Sequence, residues 1–289
     1  MSALREAAEP RLTDAEFRTI SRILHEDSGI ALAPSKMALV YSRLVRRLRV
    51  LGLRSFADYC ALVAGEGGRE ERHEMLAALT TNVTHFFREN HHFEHLRTRL
   101  LPPLVARARQ GGRVRLWSAG CSNGHEPYSI ALTVLGLMPD AADHDIRILA
   151  SDIDPNVVAF GERGVYDDEA LAEVPKGLRA RWFQRRPVTP DGVRRAEVAP
   201  EMRRLVVFRE LNLIGAWPMR GRFDAIFCRN VTIYFDAPTR EEVWRRFAGT
   251  MAPGGWLYVG HSERLAGPAA GLFDLEGTTA YRFIGGAAR

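Results

Sequence analysis

Residues Arg113–Ile130 read RVRLWSAGCSNGHEPYSI and carry the clearest structural signal in the chain. Val114 and Leu116 open a short apolar run that is typical of a strand buried on both faces. A glycine-rich turn, GCSNG at 120–124, follows, and Pro127 near the start of the next apolar segment predicts the first turn of a helix. A strand, a glycine turn and a helix in this order leave unpaired backbone N–H groups that a ligand can bind.

The next apolar run supports a ligand site at this corner. Ile146–Asp152 reads IRILASD. The run ends on an acid about 30 residues after the glycine turn, and in doubly wound sheets an acid at that place accepts hydrogen bonds from the two ribose hydroxyls of an adenosine ligand. We therefore predict that Asp152 binds a ribose, and that Gly120 lets the ligand approach the backbone closely.

The absence of two motifs in the turn narrows the choice of ligand. The turn has no lysine of the triphosphate-binding type G-x-x-x-x-G-K-[ST], and it lacks the third glycine of the dinucleotide type G-x-G-x-x-G. An adenosine ligand without phosphates remains. S-adenosylmethionine fits best, because its sulfonium and amino-acid end require carboxylates and amides rather than an anion cradle.

The composition is that of an ordinary globular protein. The chain has 289 residues, of which 46% are hydrophobic and 26% charged, and this length allows one large domain and a smaller one. Its three cysteines are far apart and form no C-x-x-C pair, which disfavours a disulfide framework and suits a reducing compartment. We find neither a signal peptide nor an apolar run of about 18 residues. We expect a cytoplasmic protein that does not insert into a membrane.

The N-terminal part, residues 1–70, predicts a small all-helical domain with a basic second helix. No acidic residue occurs between Lys36 and Arg54. A basic run is usually a solvated helix face, but without a compensating acid it also favours docking of a negative partner, either nucleic acid or an acidic protein helix. The module and the aromatic residues of a nucleic-acid reader are missing. The residues assigned to docking are Lys36, Arg43, Arg46 and Arg47.

A polar break and a histidine cluster follow the helical domain. GEGGREER at 65–72 marks the predicted boundary, and residues 71–90 are expected to form a linker. His91 and His95, four residues apart, have a spacing found in metal sites. No acid or cysteine is spaced to complete such a site, so we predict a solvated helix and no metal.

Residues 91–289 predict an α/β domain with a doubly wound, mostly parallel sheet, because apolar strands alternate with helical segments. Between about 181 and 210 the pattern changes to short, basic, β-like pieces around a Pro-Asp-Gly turn. This change predicts a small antiparallel β insertion. Ligands of open α/β sheets bind at the carboxyl ends of the strands, where Asp152 and Asn230 lie.

Several motifs resemble, in order, those of the chemotaxis-receptor protein-glutamate O-methyltransferases. The matching pieces lie within about residues 75–265 and are LTTNVTHFFRE, WSAGCSNGHEPYS, ASDID, LNL, FCRNVTIYF and APGG with GHSE behind it. The helical N-terminal portion fits as well. The resemblance implies a class I fold of methyltransferases dependent on S-adenosylmethionine. It also implies methyl transfer to glutamates on the cytoplasmic helices of transmembrane chemoreceptors, with S-adenosylhomocysteine as product.

The resemblance assigns cofactor-binding roles to two groups of residues. Asn82, Thr84 and Arg88 would hold the methionine end, where an arginine pairs well with a carboxylate. Glu126 would accept a hydrogen bond from the ammonium group of the cofactor, and Asp152 from its ribose. For Arg88 a plain surface position remains the alternative.

Further roles implied by the resemblance fall on residues nearer the C-terminus. Asn212 and Leu213 would meet the adenine edge. Arg229 and Asn230 would end the central strand beside the reactive carbon, and Tyr234 would lie near the transferred methyl group. Arg229 and Tyr234 are thus the catalytic candidates, although Tyr234 is also compatible with a core aromatic position.

This chain departs from the family pattern at two places. Asn123 and His125 stand where the family commonly has threonine and glutamate, so we expect cofactor affinity to be altered and to depend on pH if His125 protonates. Family members that bind a receptor's C-terminal pentapeptide tend to have extra glycines in the insertion. Here only Gly192 occurs, which makes tail tethering doubtful.

The predicted reaction explains why no nucleophile or triad is visible. A glutamate side chain has a reference pKa of about 4.3 and is already ionised at neutral pH, so no general base is required. The rate should come from positioning and desolvation.

Two rival hypotheses are a non-catalytic signalling protein that binds the cofactor and a nucleic-acid methyltransferase. The second is disfavoured because RNVT at 229–232 replaces the Asn/Asp-Pro-Pro-Tyr/Phe motif.

Overall fold

The computed structural model describes residues 10–285, and the chain divides into two compact units between Thr81 and Asn82. The first unit is all-helical, as predicted. Its helices are α1 (Asp14–Ser28), α2 (Met37–Leu51), α3 (Phe56–Ala64) and α4 (Arg69–Leu79), with 3₁₀ turns at Pro34–Lys36 and Glu66–Gly68. No helix of residues 10–285 combines the length and the apolar character that crossing a membrane requires.

Local sequence explains where these helices begin and end. Thr13 caps α1 in a capping box with Glu16, whose side chain accepts the N–H of Thr13 at 2.7 Å. Gly29 and Gly52 end α1 and α2 in the left-handed conformation, with φ of 75° and 67°.

The boundary expected near residue 70 is wrong, because α4 belongs to the helical unit. The glycines at 65–68 form a tight turn between α3 and α4 rather than an interdomain linker. A Cβ atom on Gly68 would lie 2.2 Å from the carbonyl oxygen of Leu62, so the chain passes too close to itself for any larger residue. The glycines in this polar run are therefore explained by close packing of the backbone and not by a domain boundary. The residues expected to form the linker are divided between the two units at Thr81.

The second unit contains a seven-stranded, mostly parallel sheet, as predicted. Its strands are β1 (Val114–Ala119), β2 (Ile146–Asp152), β6 (Val206–Glu210), β7 (Phe223–Cys228), β8 (Met251–Val259), β9 (Phe273–Gly277) and β10 (Ala280–Phe283). The order across the sheet is β6-β2-β1-β7-β8-β10-β9. All pairs from β6 to β8 are parallel, whereas β10 is antiparallel to both β8 and β9.

Helices cover this sheet and connect its strands. They are α5 (His91–His95), α6 (Leu101–Arg109), α7 (His125–Leu137), α8 (Pro155–Arg163), α9 (Lys176–Trp182), α10 (Pro200–Leu205) and α11 (Ala237–Thr250). A π-helical turn, Leu96–Leu100, joins α5 to α6. Helix α7 is buried along almost its whole length, which explains its uniformly apolar sequence.

A separate three-stranded antiparallel sheet forms the predicted insertion, with different bounds. Its strands are β3 (Val165–Asp167), β4 (Phe183–Arg185) and β5 (Arg195–Val198), in the order β3-β5-β4. The insertion thus begins before residue 181 and ends before 210. Val206–Glu210 pairs in parallel with β2 and is the edge strand of the main sheet. The sequence of this short edge strand resembles those of the antiparallel strands before it. Only its pairing with β2 shows that it belongs to the main sheet.

The strand order reverses direction at β1. From β1 the chain moves to β2 on one side, and it later returns to place β7 on the other side. Such a switch point opens a crevice at the carboxyl ends of the strands. The glycine turn after β1, Asp152 at the end of β2 and Arg229 after β7 all lie at these ends.

Candidate active site

The glycine turn after β1 folds tightly against the loop that follows β7. Gly120 has a φ of 86°, and its N–H donates to the carbonyl of Ser151 at 2.8 Å. A Cβ atom at this position would lie 2.2 Å from Cγ2 of Val231. Glycine is therefore required at 120 both for the backbone conformation and for the close approach of the two strand-end loops.

Asp152 is buried at the end of β2 and binds the turn directly. Its carboxylate accepts the N–H of Ser122 at 2.8 Å and the N–H of Asp154 at 3.1 Å. Burial raises the pKa of Asp152, and these backbone hydrogen bonds oppose that rise. Asn82 lies beside this group, because its amide donates to Asp154 at 3.0 Å and its carbonyl accepts from the Ser122 hydroxyl at 3.2 Å.

Glu126 lies in the first turn of α7, where the unpaired N–H groups of the helix favour a negative charge. One of its carboxylate oxygens accepts the Ser118 hydroxyl at 2.7 Å, and the other is 3.0 Å from the Arg229 guanidinium. Burial raises the pKa of Glu126, while the charge of Arg229 acts in the opposite direction. The fold thus brings a second, largely buried carboxylate to the same crevice as Asp152.

Arg229 is buried and joins several parts of the site. Besides Glu126, its guanidinium donates to the carbonyl of Arg88 and forms an ion pair with Glu89 at 3.4 Å. Its guanidinium carbon also lies 5.6 Å from the ring centroid of Phe93. Its Nε is buried and has no hydrogen-bond partner within residues 10–285. Arg229 therefore fixes the position of its neighbours and exposes almost none of its own surface.

Glu263 organises the loop after β7, and sequence reasoning did not identify it. Its buried carboxylate accepts the backbone N–H groups of residues 230–233 at 2.7 to 3.3 Å and that of Gly260 at 2.6 Å. It also accepts the Thr232 hydroxyl at 2.7 Å. The loop includes Asn230 in the left-handed conformation, with a φ of 60°. The GHSE motif contained the signal, since it directly follows the apolar strand β8 and an acid that is buried at such a place needs hydrogen-bond partners.

Tyr234 lies in the short 3₁₀ turn Thr232–Tyr234 that follows this loop. It is 37% exposed, and the neighbouring Ile233 is 43% exposed. The alternative that Tyr234 is a core aromatic is therefore wrong. Two large side chains are instead presented to solvent in the turn that follows the loop held by Glu263.

The two units correspond to two family models. Residues 15–80 match the model described as "CheR methyltransferase, all-alpha domain", and residues 82–282 match "CheR methyltransferase, SAM binding domain". The chain belongs to the CheR methyltransferase family. It is therefore a methyltransferase that uses S-adenosylmethionine.

Curated relatives of this CheR methyltransferase resemble it over nearly their full length. A probable chemotaxis protein methyltransferase of Rhizobium etli is 54% identical over 261 residues, which cover 90% of this chain and 97% of that protein. A chemotaxis protein methyltransferase of Klebsiella aerogenes is 43% identical, covering 97% and 93% of the two chains. That of Escherichia coli K12 is 41% identical, covering 93% and 91%.

The segment that precedes α5 provides the remaining predicted residues for the methionine end of the cofactor. Thr84 and Arg88 are partly exposed, and the Arg88 guanidinium donates to the carbonyl of Val83 at 3.0 Å. The backbone is held by Phe87, whose N–H donates to the Ser129 hydroxyl at 2.9 Å. The structure thus places this segment within the CheR methyltransferase unit and anchors it on α7.

Asn212 and Leu213 follow β6. The N–H of Leu211 donates to the carbonyl of Asp152 at 2.8 Å, so the segment starts at the end of β2. The Asn212 side-chain oxygen accepts the N–H of Ile214 at 3.0 Å, and Leu213 is buried. Both residues therefore lie on the Asp152 side of the switch point.

His125 differs from the sequence-based expectation. It is buried between Phe86 and Tyr166, with ring centroids at 4.8 and 4.9 Å. Burial lowers its pKa to about 4, and the nearby His85 acts in the same direction. The ring is consequently neutral near pH 7, and the expected pH dependence of cofactor binding around neutrality is corrected.

Helix α5 (His91–His95) is partly buried, so the prediction of a solvated helix is wrong. His92 is fully buried and its Nε2 lies 2.9 Å from the Thr279 hydroxyl. His95 is partly buried, with Nδ1 3.0 Å from the Tyr258 hydroxyl. The ligand-forming atoms of Glu89, His91 and His92 lie within 4.8 Å of one another. An acid, Glu89, therefore does accompany the histidines. The sequence-based prediction did not include it because it precedes the helix.

Two of the four docking candidates, Arg43 and Arg47 on α2, form contacts within the helical unit. Arg47 pairs with the buried Glu71 at 2.6 and 3.0 Å, and Glu71 also accepts the Tyr59 hydroxyl at 2.8 Å. Arg43 donates to the carbonyls at the end of α4, at 2.6 Å to Thr80. The view that the basic run lacks a compensating acid is corrected, because the acid lies on α4. The candidates that remain exposed are Lys36 and Arg46.

Proposed function

We propose that the chain transfers the methyl group of S-adenosylmethionine to glutamate carboxylates of transmembrane chemoreceptors, forming methyl esters and S-adenosylhomocysteine. One observation carries the assignment: the carboxylate of Asp152, which is buried, and that of Glu126, which is 11% exposed, flank a glycine turn at the switch point of the sheet. Membership in the CheR family supports the substrate class, since its curated relatives are named chemotaxis protein methyltransferases.

The residues of the crevice fit the cofactor chemically. Asp152 offers a carboxylate to the two ribose hydroxyls, and Glu126 offers one to the ammonium group. Arg88, with Asn82 and Thr84, offers donors to the cofactor carboxylate. Asn212 and Leu213 lie on the Asp152 side, where the adenine edge would bind.

The cofactor, when bound, supplies an electrophilic methyl group on a sulfonium. The attacking carboxylate oxygen forms a bond to this carbon as the carbon–sulfur bond breaks, and the bonding electrons stay on sulfur. No proton moves in this step, because the acceptor glutamate is already ionised. The chain's task is to align the two groups and to exclude water.

The roles of the two catalytic candidates differ. Tyr234 is exposed beside the loop that Glu263 holds, so we assign it to contact with the substrate near the transferred methyl group. Arg229 is enclosed by Glu126, Glu89 and Phe93, so we assign it a positioning role. We assign Asn230 to the position next to the reacting carbon. Glu263 holds the backbone of Asn230 in place there.

We assign receptor docking in the cytoplasm to two exposed residues, Lys36 in the turn before α2 and Arg46 on α2. Receptor helices that present glutamates are acidic, and opposite charges accelerate encounter. The small β insertion carries one glycine in its turn, Gly192, and we assign it no role in binding a receptor tail.

The test is transfer of radiolabelled methyl groups from S-adenosylmethionine to receptor-rich membranes from the source organism. We expect label that is released as methanol by mild base, as methyl esters are, and its loss in Asp152→Asn. The control Asp168→Asn changes an exposed acid on the insertion side. Cofactor binding without transfer would identify a binding protein instead, and label on nucleic acid would overturn the proposal.

A further inference from the structure

Glu89 and His92 face each other with two buried acceptor atoms that accept no hydrogen bond within the described part of the chain, although Oε2 of Glu89 is ion-paired with Arg229 at 3.4 Å. Oε2 of Glu89 and Nδ1 of His92 are buried, and neither has a hydrogen-bond partner among residues 10–285. They are 3.7 Å apart, which is too long for a hydrogen bond between them. Nε2 of His92 lies 3.2 Å from the carbonyl oxygen of Thr278. Because a carbonyl can only accept, Nε2 carries the proton and Nδ1 presents its lone pair.

A third ligand lies beside this pair. The donor atoms of Glu89, His91 and His92 are all within 4.8 Å of one another. In a tetrahedral zinc site with bonds of about 2.1 Å, ligand atoms are about 3.4 Å apart, so the buried pair already has nearly the required separation. His91 is exposed, and its ring lies against that of His92 with the centroids 4.1 Å apart, so the cluster is open to solvent on this side.

The local charges favour a cation. Glu89 and Glu126 share one buried guanidinium, that of Arg229, at 3.4 and 3.0 Å. Two carboxylates and one guanidinium leave an excess of one negative charge in a buried region. His261 adds a nitrogen, Nδ1, at 3.0 Å from the other oxygen of Glu89.

We infer that Glu89, His91 and His92 form a binding site for a divalent transition metal ion of the zinc type. Two imidazoles and one carboxylate are a ligand set that zinc uses with its fourth position open to water. The metal would bind both buried acceptors at once and would supply the partner that Nδ1 of His92 lacks among the described residues. Since Arg229 lies next to Glu89, its positive charge opposes the ion, and we expect weaker binding than at a structural zinc site.

The test is calorimetric titration of the full-length protein with Zn²⁺. We expect one ion per chain and an affinity at least tenfold lower in His91→Ala, which removes an exposed ligand without disturbing the core. His73→Ala, which removes an exposed histidine of α4, is the matched control and should bind as the unmodified protein does. Equal binding by His91→Ala and the unmodified protein, or no binding by either, would overturn the inference.

Two further measurements separate this site from other sources of binding. Glu89→Gln should also weaken binding at least tenfold, with its fold checked by circular dichroism because Glu89 contacts Arg229. Co²⁺ in place of Zn²⁺ should give visible absorption without a thiolate-to-metal charge-transfer band. Such a band would place the ion on Cys60, which is partly exposed, and would refute the proposed ligands.

Discussion

The carboxylate of Glu263 lies 2.7 Å from the backbone nitrogen of Asn230, although 33 residues separate them in sequence. The same carboxylate binds every backbone N–H from Asn230 to Ile233. One buried side chain therefore replaces the hydrogen bonds that a regular element would have supplied to this loop. The conformation of the loop after β7, which borders the crevice, therefore depends on Glu263.

Glu263→Gln should destabilise the protein and reduce methyl transfer. Glutamine has one acceptor oxygen, and its NH₂ group would face backbone donors that then lose their partner. Unsatisfied buried groups cost about 1–3 kcal/mol each, so we expect a loss of about 2–4 kcal/mol in the free energy of unfolding. Urea denaturation measures it, with the exposed Glu173→Gln as control. Stability equal to that of the control would contradict the role given to Glu263.

Gly120→Ala should weaken both stability and cofactor binding. The new methyl group would meet Val231 at 2.2 Å, and a φ of 86° is unfavourable for alanine. We expect a loss of about 2–4 kcal/mol from the combined clash and backbone strain. Adding Val231→Ala should restore part of the stability by removing the clash, whereas the strain remains. Thermal unfolding and cofactor titration of the single and double variants distinguish the two components, and no recovery in the double variant would exclude the clash.

Arg47 and Arg46 should differ sharply although they are adjacent. Arg47→Ala leaves the buried Glu71 without its charged partner, and breaking such a pair costs about 3–5 kcal/mol. Arg46→Ala changes an exposed residue and should alter stability by less than about 0.5 kcal/mol. Chemical denaturation of both variants checks this, and similar losses would show that the pair with Glu71 contributes little.

Arg46→Glu should slow methylation of receptors and leave cofactor affinity unchanged. The charge reversal acts on encounter with an acidic partner, so the effect should shrink as salt screens the surface. Initial rates at low and high ionic strength, with calorimetry for the cofactor, test this. A rate that matches the unmodified protein at both salt concentrations would remove Arg46 from the docking surface.

His125 should make the fold sensitive to acid. Its pKa is about 4 in the folded chain and 6.5 as a reference, so the unfolded chain binds the proton first as pH falls. The stability is fully present above pH 6.5 and is lost as the pH falls to 4, by roughly 3 kcal/mol. His125→Phe, which keeps a ring between Phe86 and Tyr166, should lose less stability over this range. Urea denaturation at pH 7 and pH 4.5 would contradict this if both proteins lost equal amounts.

Local sequence predicted the features that local physics determines. The strand, turn and helix around Gly120 follow from apolar runs and glycine positions, and Asp152 follows from its place at a strand end. Glu126 was found because it lies in the same short stretch. Each of these needs contacts only within one β-α-β unit.

Features that depend on distant partners were missed or misplaced. The sequence does not show the partner of Arg47, because Glu71 lies on another helix, 24 residues away. It does not show the burial of His92 either, because Thr279, which His92 contacts, lies 187 residues away. Val206–Glu210 was assigned to the insertion because only its pairing with β2 shows that it belongs to the main sheet. Periodicity reports which face is apolar and gives no information on what covers it.

The division between Thr81 and Asn82 has an evolutionary consequence. Asn82, which contacts Asp154 and Ser122, is the first residue of the methyltransferase unit, so the donor crevice is encoded in one uninterrupted stretch of the gene. Recombination at this junction would transfer all residues of the crevice together. Changes in the helical unit would therefore leave the sequence of the crevice unaltered.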